Sequence, residues 1–273
     1  MRTCPRCGAP VEAGAKFCTE CGAALNNSGG PSAQERKAMQ TAAGGAMALG
    51  RAARQARLEA EYDPADIVST RVYNAVIVGV LLWGLLVNVL LCVFVGDAFR
   101  YVNPLVFLIA YFACCFGGIS IARRSTNPFV SFLGYNMVVV PLGLVISASV
   151  YAYGGIDSKV VTDAFIYTML ITVGMAGAAV AMPELFSRLG GALIGVLIGL
   201  IVAEVVLLLF GVRQEITDWI AAGLFSLYIG YDLYRSQQFE KTVDNAVDCA
   251  LDLYLDIANL FIRILSIMGR RRK

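Results

Sequence analysis

The chain contains no histidine. That absence excludes imidazole metal ligands, Ser-His and Cys-His catalytic pairs, and histidine-based pH sensing. Charge is also scarce. Asp, Glu, Lys and Arg make up 15% of the residues, and they are clustered rather than spread. Soluble domains are about 45–50% apolar, whereas 58% of this chain is hydrophobic and its mean hydropathy is +0.68. Lipid is therefore the expected solvent. The formal net charge of +2 is too small to call for nucleic acid, and no basic stretch is interleaved with aromatic residues. The first residues lack a charged stub followed by an apolar run, so no secretory signal is expected. No glycine-rich phosphate loop is present and no histidine can activate a Cys or Ser nucleophile, so an enzyme is not expected.

What is present begins with four cysteines. Residues 1–25 read MRTCPRCGAPVEAGAKFCTECGAAL, placing Cys4, Cys7, Cys18 and Cys21 in two C-x2-C pairs ten residues apart. Gly8 and Gly22 follow the second cysteine of each pair and let the backbone N–H groups turn toward sulfur. Four thiolates suit tetrahedral structural zinc. Two disulfides or inert thiols are the other readings, but disulfides need an oxidising compartment, and a segment this short needs a staple in place of a core. With all four positions filled, no open position remains for catalysis. The segment is similar to the short zinc ribbons that begin many bacterial membrane proteins. Its expected role is structural or partner-binding.

Residues 26–70 form a linker. NNSGGPSAQE (26–35) has turn composition. The following stretch, with Arg51, Arg54 and Arg57 at helical spacing, is either a solvated helix or a basic helix on anionic headgroups.

From residue 71 to 269 the chain becomes a series of uncharged runs. They lie between Arg71 and Asp97, Arg100 and Arg123, Arg124 and Asp157, Asp163 and Glu184, and Arg188 and Glu204. These give five spanning helices, the fifth continuing past Glu204 to Phe210. A sixth helix is expected over about 216–233 and a seventh over about 246–268. The expected fold is an all-α polytopic membrane protein, a seven-helix bundle behind a small Cys4 ribbon. Cys92, Cys114, Cys115 and Cys249 read as core cysteines. Gly117–Gly118 and Gly190–Gly191 read as close helix packing. Arg123, Arg124, Arg188, Arg235 and Lys241 place the ribbon and the even-numbered loops on the cytoplasmic side. One conflict arises. Seven full spans put the basic tail, residues 270–273, on the opposite side. Either the charge rule fails for the last helix or that helix does not fully cross.

The seventh segment carries an acidic stripe. Asp244, Asp248, Asp252 and Asp256 recur every four residues, drifting about 40° per step and staying within a sector of about 120°. Asn259 and Arg263 share that sector. A single aspartate facing lipid costs about 2.5–3.5 kcal/mol, so this helix is expected inside the bundle with its stripe lining a cavity. Asp244, and with it Asp248, is read as a wet interfacial carboxylate; Asp256 is too deep for that. Asp232 stands at the inner end of the sixth helix. Glu204 is either a pore carboxylate or a side chain reaching for the interface.

The strings LDLYLDIANLFIRILSIMG (251–269), GLFSLYIGYDLYR (223–235), the stretch 173–211 and ARRSTNPFVSFLGYNMVVVPLG (122–143) resemble the Bax inhibitor family of transmembrane Bax-inhibitor-motif proteins. The resemblance covers about residues 70–269 and leaves the ribbon outside. It implies a seven-helix fold with the last helix central. It also implies a pH-sensitive calcium leak in which Asp232 and Asp256 share a proton and an arginine at the end of the second helix, Arg123 or Arg124, closes the path by bonding the first aspartate. Asp248 and Asp252 are additions to the family pattern. The function expected from this is a proton-gated cation leak in a bacterial inner membrane, with calcium the favoured ion. The other reading is a regulator that binds membrane proteases or stress proteins, with the ribbon as its docking module.

Overall fold

A computed structural model describes residues 2–3, 10–11, 64–95, 103–212 and 214–270. The chain divides into two compact units, Met1–Gly50 and Arg51–Lys273. In the first, strands β1 (Arg2–Thr3) and β2 (Pro10–Val11) pair antiparallel, Arg2 opposite Val11 and Thr3 opposite Pro10. This hairpin flanks the first C-x2-C pair. Cys4, Cys7, Cys18 and Cys21 themselves, and the linker up to residue 63, lie outside the described residues.

The second unit is a bundle of seven helices: α1 (Thr70–Val95), α2 (Pro104–Arg124), α3 (Pro128–Ala152), α4 (Lys159–Ala181), α5 (Pro183–Leu209), α6 (Glu215–Ser236) and α7 (Val243–Arg270). Local chemistry sets several boundaries. Asn127 caps α3 by accepting from the Phe129 N–H at 3.0 Å, with Pro128 at the first helical position. Gly154 (φ 100°) and Gly155 (φ 81°) supply the left-handed turn after α3. Pro183 restarts the chain as α5 directly after α4 ends at Met182.

Helices α1 to α5 are each long and apolar enough to cross a membrane. They turn large apolar side chains outward, among them Phe94, Val180 and Leu209. In water such a surface would aggregate; against acyl chains it costs nothing. Helix α7 differs. At 28 residues it is long enough to cross, and nineteen of those residues are buried. It packs against α1, α3, α4 and α6 and forms the centre of the bundle, as the resemblance implied. Helix α2 leans mainly on α3 and α5 mainly on α6, so both are peripheral.

Small residues set the close crossings. A Cβ added at Gly118 would stand 2.6 Å from the Gly134 carbonyl oxygen, and one at Gly134 would stand 2.6 Å from that of Gly118. The two glycines therefore let α2 and α3 touch backbone to backbone. Gly190 accommodates the Tyr231 ring in the same way, whereas Gly117 and Gly191 make no such tight contact.

Candidate functional site

All four aspartates of the stripe are buried, as is Asp232 at the end of α6. The members of the stripe face different partners, because α7 is enclosed on several sides. Asp244 accepts from the Ser131 hydroxyl on α3 at 2.5 Å, and Ser131 also bonds the Ala122 carbonyl. Asp244 and Asp248 are only 6% and 2% exposed, so neither is the wet interfacial carboxylate that the sequence suggested.

Asp252 and Asp256 form the core of the site. Asp252 is held from two sides. Arg123, at the end of α2, donates to its Oδ1 at 2.8 Å, and Arg235, in the last turn of α6, donates to Oδ2. The same guanidinium stands 3.6 Å from Asp232 Oδ1, one helical turn earlier. It also lies over the rings of Tyr231 and Phe239. The carboxyls of Asp232 on α6 and Asp256 on α7 are buried neighbours. Carboxylates only accept, so a bond between two of them requires one proton. Asp232 Oδ1 and Asp256 Oδ2 have no hydrogen-bond donor among the described residues.

A continuous charge chain results: Arg123, Asp252, Arg235, Asp232, Asp256. Two cations and three carboxylates sum to −1, and one shared proton brings these five groups to zero. In a low-dielectric interior the neutral state is the inexpensive one. The arginine from α2 does not bond Asp232, as the resemblance implied. It reaches Asp252, and Arg235 makes the link onward to Asp232. Arg123 is half-exposed, with 52% of its side-chain surface accessible, whereas Arg235 is largely enclosed. Arg124, the neighbouring reading, is exposed and forms no part of this chain.

A second cluster closes the opposite end. Arg263, in the later part of α7, bonds Asp218 of α6 at 2.7 Å and Glu204 Oε2 on α5 at 2.8 Å, and is ion-paired with Glu204 Oε1. Asp218 also accepts from Ser266 at 3.0 Å and from Arg270. Glu204 is thus an ion-pair partner rather than a side chain reaching for water. Asn259 donates back to the Leu255 carbonyl of its own helix at 2.8 Å. Arg235 and Asp218 are the residues that sequence reasoning missed. The signal for Arg235 was its position three residues after Asp232. Asp218 fell inside the expected sixth helix and had no local signal for its partners.

The α6–α7 turn is pinned from α1. Lys241 donates to the carbonyls of Gln237 at 2.7 Å and Phe239 at 3.1 Å, capping the end of α6, and lies 4.8 Å from the Tyr73 ring centre. Burial pulls its ammonium below the ordinary lysine range, against the neighbouring Cys249 and Glu240. The Tyr73 hydroxyl donates to the Ser236 carbonyl, and the Val68 N–H to that of Lys241. The free cysteines Cys92, Cys114, Cys115 and Cys249 are buried or half-buried in the bundle.

Comparison with known proteins matches residues 66–273 to the family described as inhibitor of apoptosis-promoting Bax1, and residues 3–25 to a zinc-ribbon domain. An uncharacterized protein of Helicobacter pylori is 33% identical over 172 residues, covering 60% of this chain and 70% of the relative. A counterpart from another strain of that species is 30% identical over 178 residues, covering 63% and 72%. An uncharacterized protein of Campylobacter jejuni is 32% identical over 127 residues, covering 46% and 53%. The buried aspartates on a central last helix, the membrane-spanning bundle around it and the match over most of the chain lead to one conclusion: this integral membrane protein belongs to the Bax inhibitor family and carries a zinc-ribbon domain at its N-terminal end.

Proposed function

We propose that the protein is a pH-gated cation leak, with calcium the favoured ion. The observation that carries this reading is the burial of the neighbouring Asp232 and Asp256 carboxyls, with Asp232 joined through Arg235 and Asp252 to Arg123 on peripheral α2. At low pH the shared proton keeps these five groups neutral and α6, α7 and α2 are held together. As pH rises the proton leaves. The chain then carries −1 in a poorly solvated site, and two adjacent carboxylates repel. A divalent cation with oxygen ligands relieves that charge. Arg123 is the weakest link, being half-exposed and on a peripheral helix, so α2 is the element that moves. Among the described residues no group of three or more carboxylates or thiols is arranged to hold a metal.

The bundle end bearing Arg123, Arg124, Arg188, Arg235 and Lys241 is placed on the cytoplasmic side of a bacterial inner membrane. The ribbon joins at that end of the sequence. Cys4, Cys7, Cys18 and Cys21 would hold zinc there, and the metal would supply the cross-links that a 25-residue segment lacks in core.

The test is calcium entry into liposomes containing the full-length protein, followed with an internal indicator between about pH 5 and pH 8. Flux is expected to rise with pH. The double variant Asp232→Asn, Asp256→Asn has no titrating carboxyl at the pair, leaves the five groups at a fixed +1, and is expected to leak at a pH-independent rate. A pH dependence that survives in this variant rejects the mechanism.

A further inference from the structure

The segment that leads into α1 is stitched to the α6–α7 turn. Pro64–Asp66 form a short 3-10 helix. Ile67 then pairs with Thr242 as a single antiparallel rung, and the Val68 N–H donates to the Lys241 carbonyl at 2.7 Å. One turn into α1, the Tyr73 hydroxyl donates to the Ser236 carbonyl at 2.9 Å. The last carbonyls of a helix lack partners within it, so the end of α6 is completed in part from a distant stretch of the chain. Gln237 Nε2 adds a bond to Asn74 Oδ1 at 3.0 Å. The remaining carbonyls of the turn are met from within it and from α7: Lys241 takes those of Gln237 and Phe239, and Asn245 Nδ2 takes that of Glu240 at 3.0 Å.

Beneath this seam lies a small apolar cluster of its own. Tyr73 and Ile77 of α1 and Phe239 of the turn pack with Ala246, Cys249 and Leu253 of α7. Phe239 is the link to the carboxyl site. Its ring centre is 5.6 Å from the guanidinium carbon of Arg235, and that guanidinium donates to Asp252 and stands 3.6 Å from Asp232. Arg235 is therefore seated on a ring that is itself seated on the first turns of α1. Ser236, whose carbonyl Tyr73 holds, is the next residue in the chain. The seam is also built to open before the bundle does. It has a single rung, and Ile67 is half-exposed; segments with few buried contacts open first.

We propose that residues 67–73 are a strap that holds the α6–α7 turn over Arg235, and that its release frees Arg235 from Asp252. With the strap in place, Phe239 and the end of α6 keep the guanidinium between Asp252 and Asp232. With the strap released, the turn lifts, the ring leaves, and Arg235 exchanges its buried carboxylates for water. Residues 1–63 precede the strap in the chain, so a pull on them reaches the carboxyl site through covalent continuity alone. The effect of the strap on flux rests on the cation-leak reading; its effect on Arg235 does not.

The experiment uses the full-length protein in lipid nanodiscs. Val68→Pro removes the N–H donor, and Tyr73→Phe removes the hydroxyl while keeping the ring. Two readouts are independent of flux: amide hydrogen exchange in peptides covering residues 236–242, and arginine labelling by phenylglyoxal, mapped by mass spectrometry. In the parent chain, enclosed Arg235 is expected to label far more slowly than exposed Arg124. Each variant is expected to raise turn exchange and Arg235 labelling about fivefold, the effect of one hydrogen bond. Arg124 labelling and exchange in α3 should stay unchanged. Ile67→Cys with Thr242→Cys, joined as a disulfide between the paired positions, should push both readouts below the parent and return them on reduction. This pair loses no seam hydrogen bond, so it carries the test if Val68→Pro loosens the whole bundle. In liposomes, acid-pH calcium flux should rise several-fold in Val68→Pro and fall in the locked pair. Arg235 labelling that ignores both the variants and the lock overturns the strap. Unchanged acid flux in Val68→Pro, beside a parent whose flux depends on pH, overturns its control of the site. A parent with no flux at all removes the leak reading alone, and Arg235 labelling then decides the strap.

Discussion

Arg235 is held by Asp252, by Asp232 and by two aromatic rings, and most of its side chain is enclosed. Removing its charge leaves two buried carboxylates with one exposed arginine between them. Breaking a buried pair in this way costs roughly 3–5 kcal/mol. Arg235→Gln is therefore expected to lower the unfolding midpoint in detergent by many degrees, with added calcium restoring part of the loss if the cation takes the vacated charge. Arg123 makes a single bond to the same Asp252 from a half-exposed position. Exposed pairs are worth about 0–1 kcal/mol, so Arg123→Gln should barely change the midpoint. Its effect belongs to gating: liposome flux at acidic pH is expected to rise several-fold toward the neutral-pH rate. Two arginines on one aspartate thus separate, one dominating stability and the other the closed state. A large stability loss in Arg123→Gln, or unchanged acid flux, would contradict that division.

At the scale of the helix, the contact that places Arg123 is remote from it. Gly118 and Gly134 bring α2 and α3 to backbone contact, and the end of α2 falls beside Asp252 as a consequence. Gly118→Ala would force the Gly134 carbonyl and the Met137 Cβ, 2.6 Å and 2.9 Å from the new atom, to give way. Backbone cannot yield as a side-chain tip can, so α2 is expected to tilt outward. Acid flux should rise as in Arg123→Gln, and cysteines placed at 123 and 252 should cross-link more slowly than in the parent background. This dependence also explains what the sequence revealed and what it hid. The four-residue spacing on α7 and the cost of charge in lipid were enough to bury Asp252 and Asp256. The partner choice was not legible. Whether an arginine on α2 meets Asp232 or Asp252 depends on where two glycines let helices cross, and that has no local signature. Arg235 and Asp218 were obscured for another reason. Arg235 lay just beyond the expected end of α6, which runs from Glu215 to Ser236, and the partners of Asp218 are set by where α7 passes it.

For the molecule as a whole, the two ion clusters sit in different halves of α7, and this bears on the conflict over the basic tail. Helix α7 runs uninterrupted to Arg270 and is long enough to cross. Arg270 pairs there with Asp218 at the start of α6, while the Arg123–Asp252–Arg235 chain lies toward the α6–α7 turn. The charge rule counts arginines as free cations near the membrane ends. Arg270 is not free, because Asp218 neutralises it, and Arg263 is spent on Glu204 and Asp218 together. The tail therefore opposes a seven-span topology by less than its count of basic residues suggests. Single cysteines at 238 and 272 are expected to react with a membrane-impermeant maleimide from opposite sides of right-side-out vesicles. Asp218→Asn strips the tail of its counter-charge. A fraction of those molecules should then expose both cysteines on the same side, with α7 failing to cross. Mutating Glu204 alone should not do this, because Arg270 would keep its partner. If both positions label from one side in the unaltered chain, the seventh helix does not span, and the second cluster loses its place as the closure of the far end.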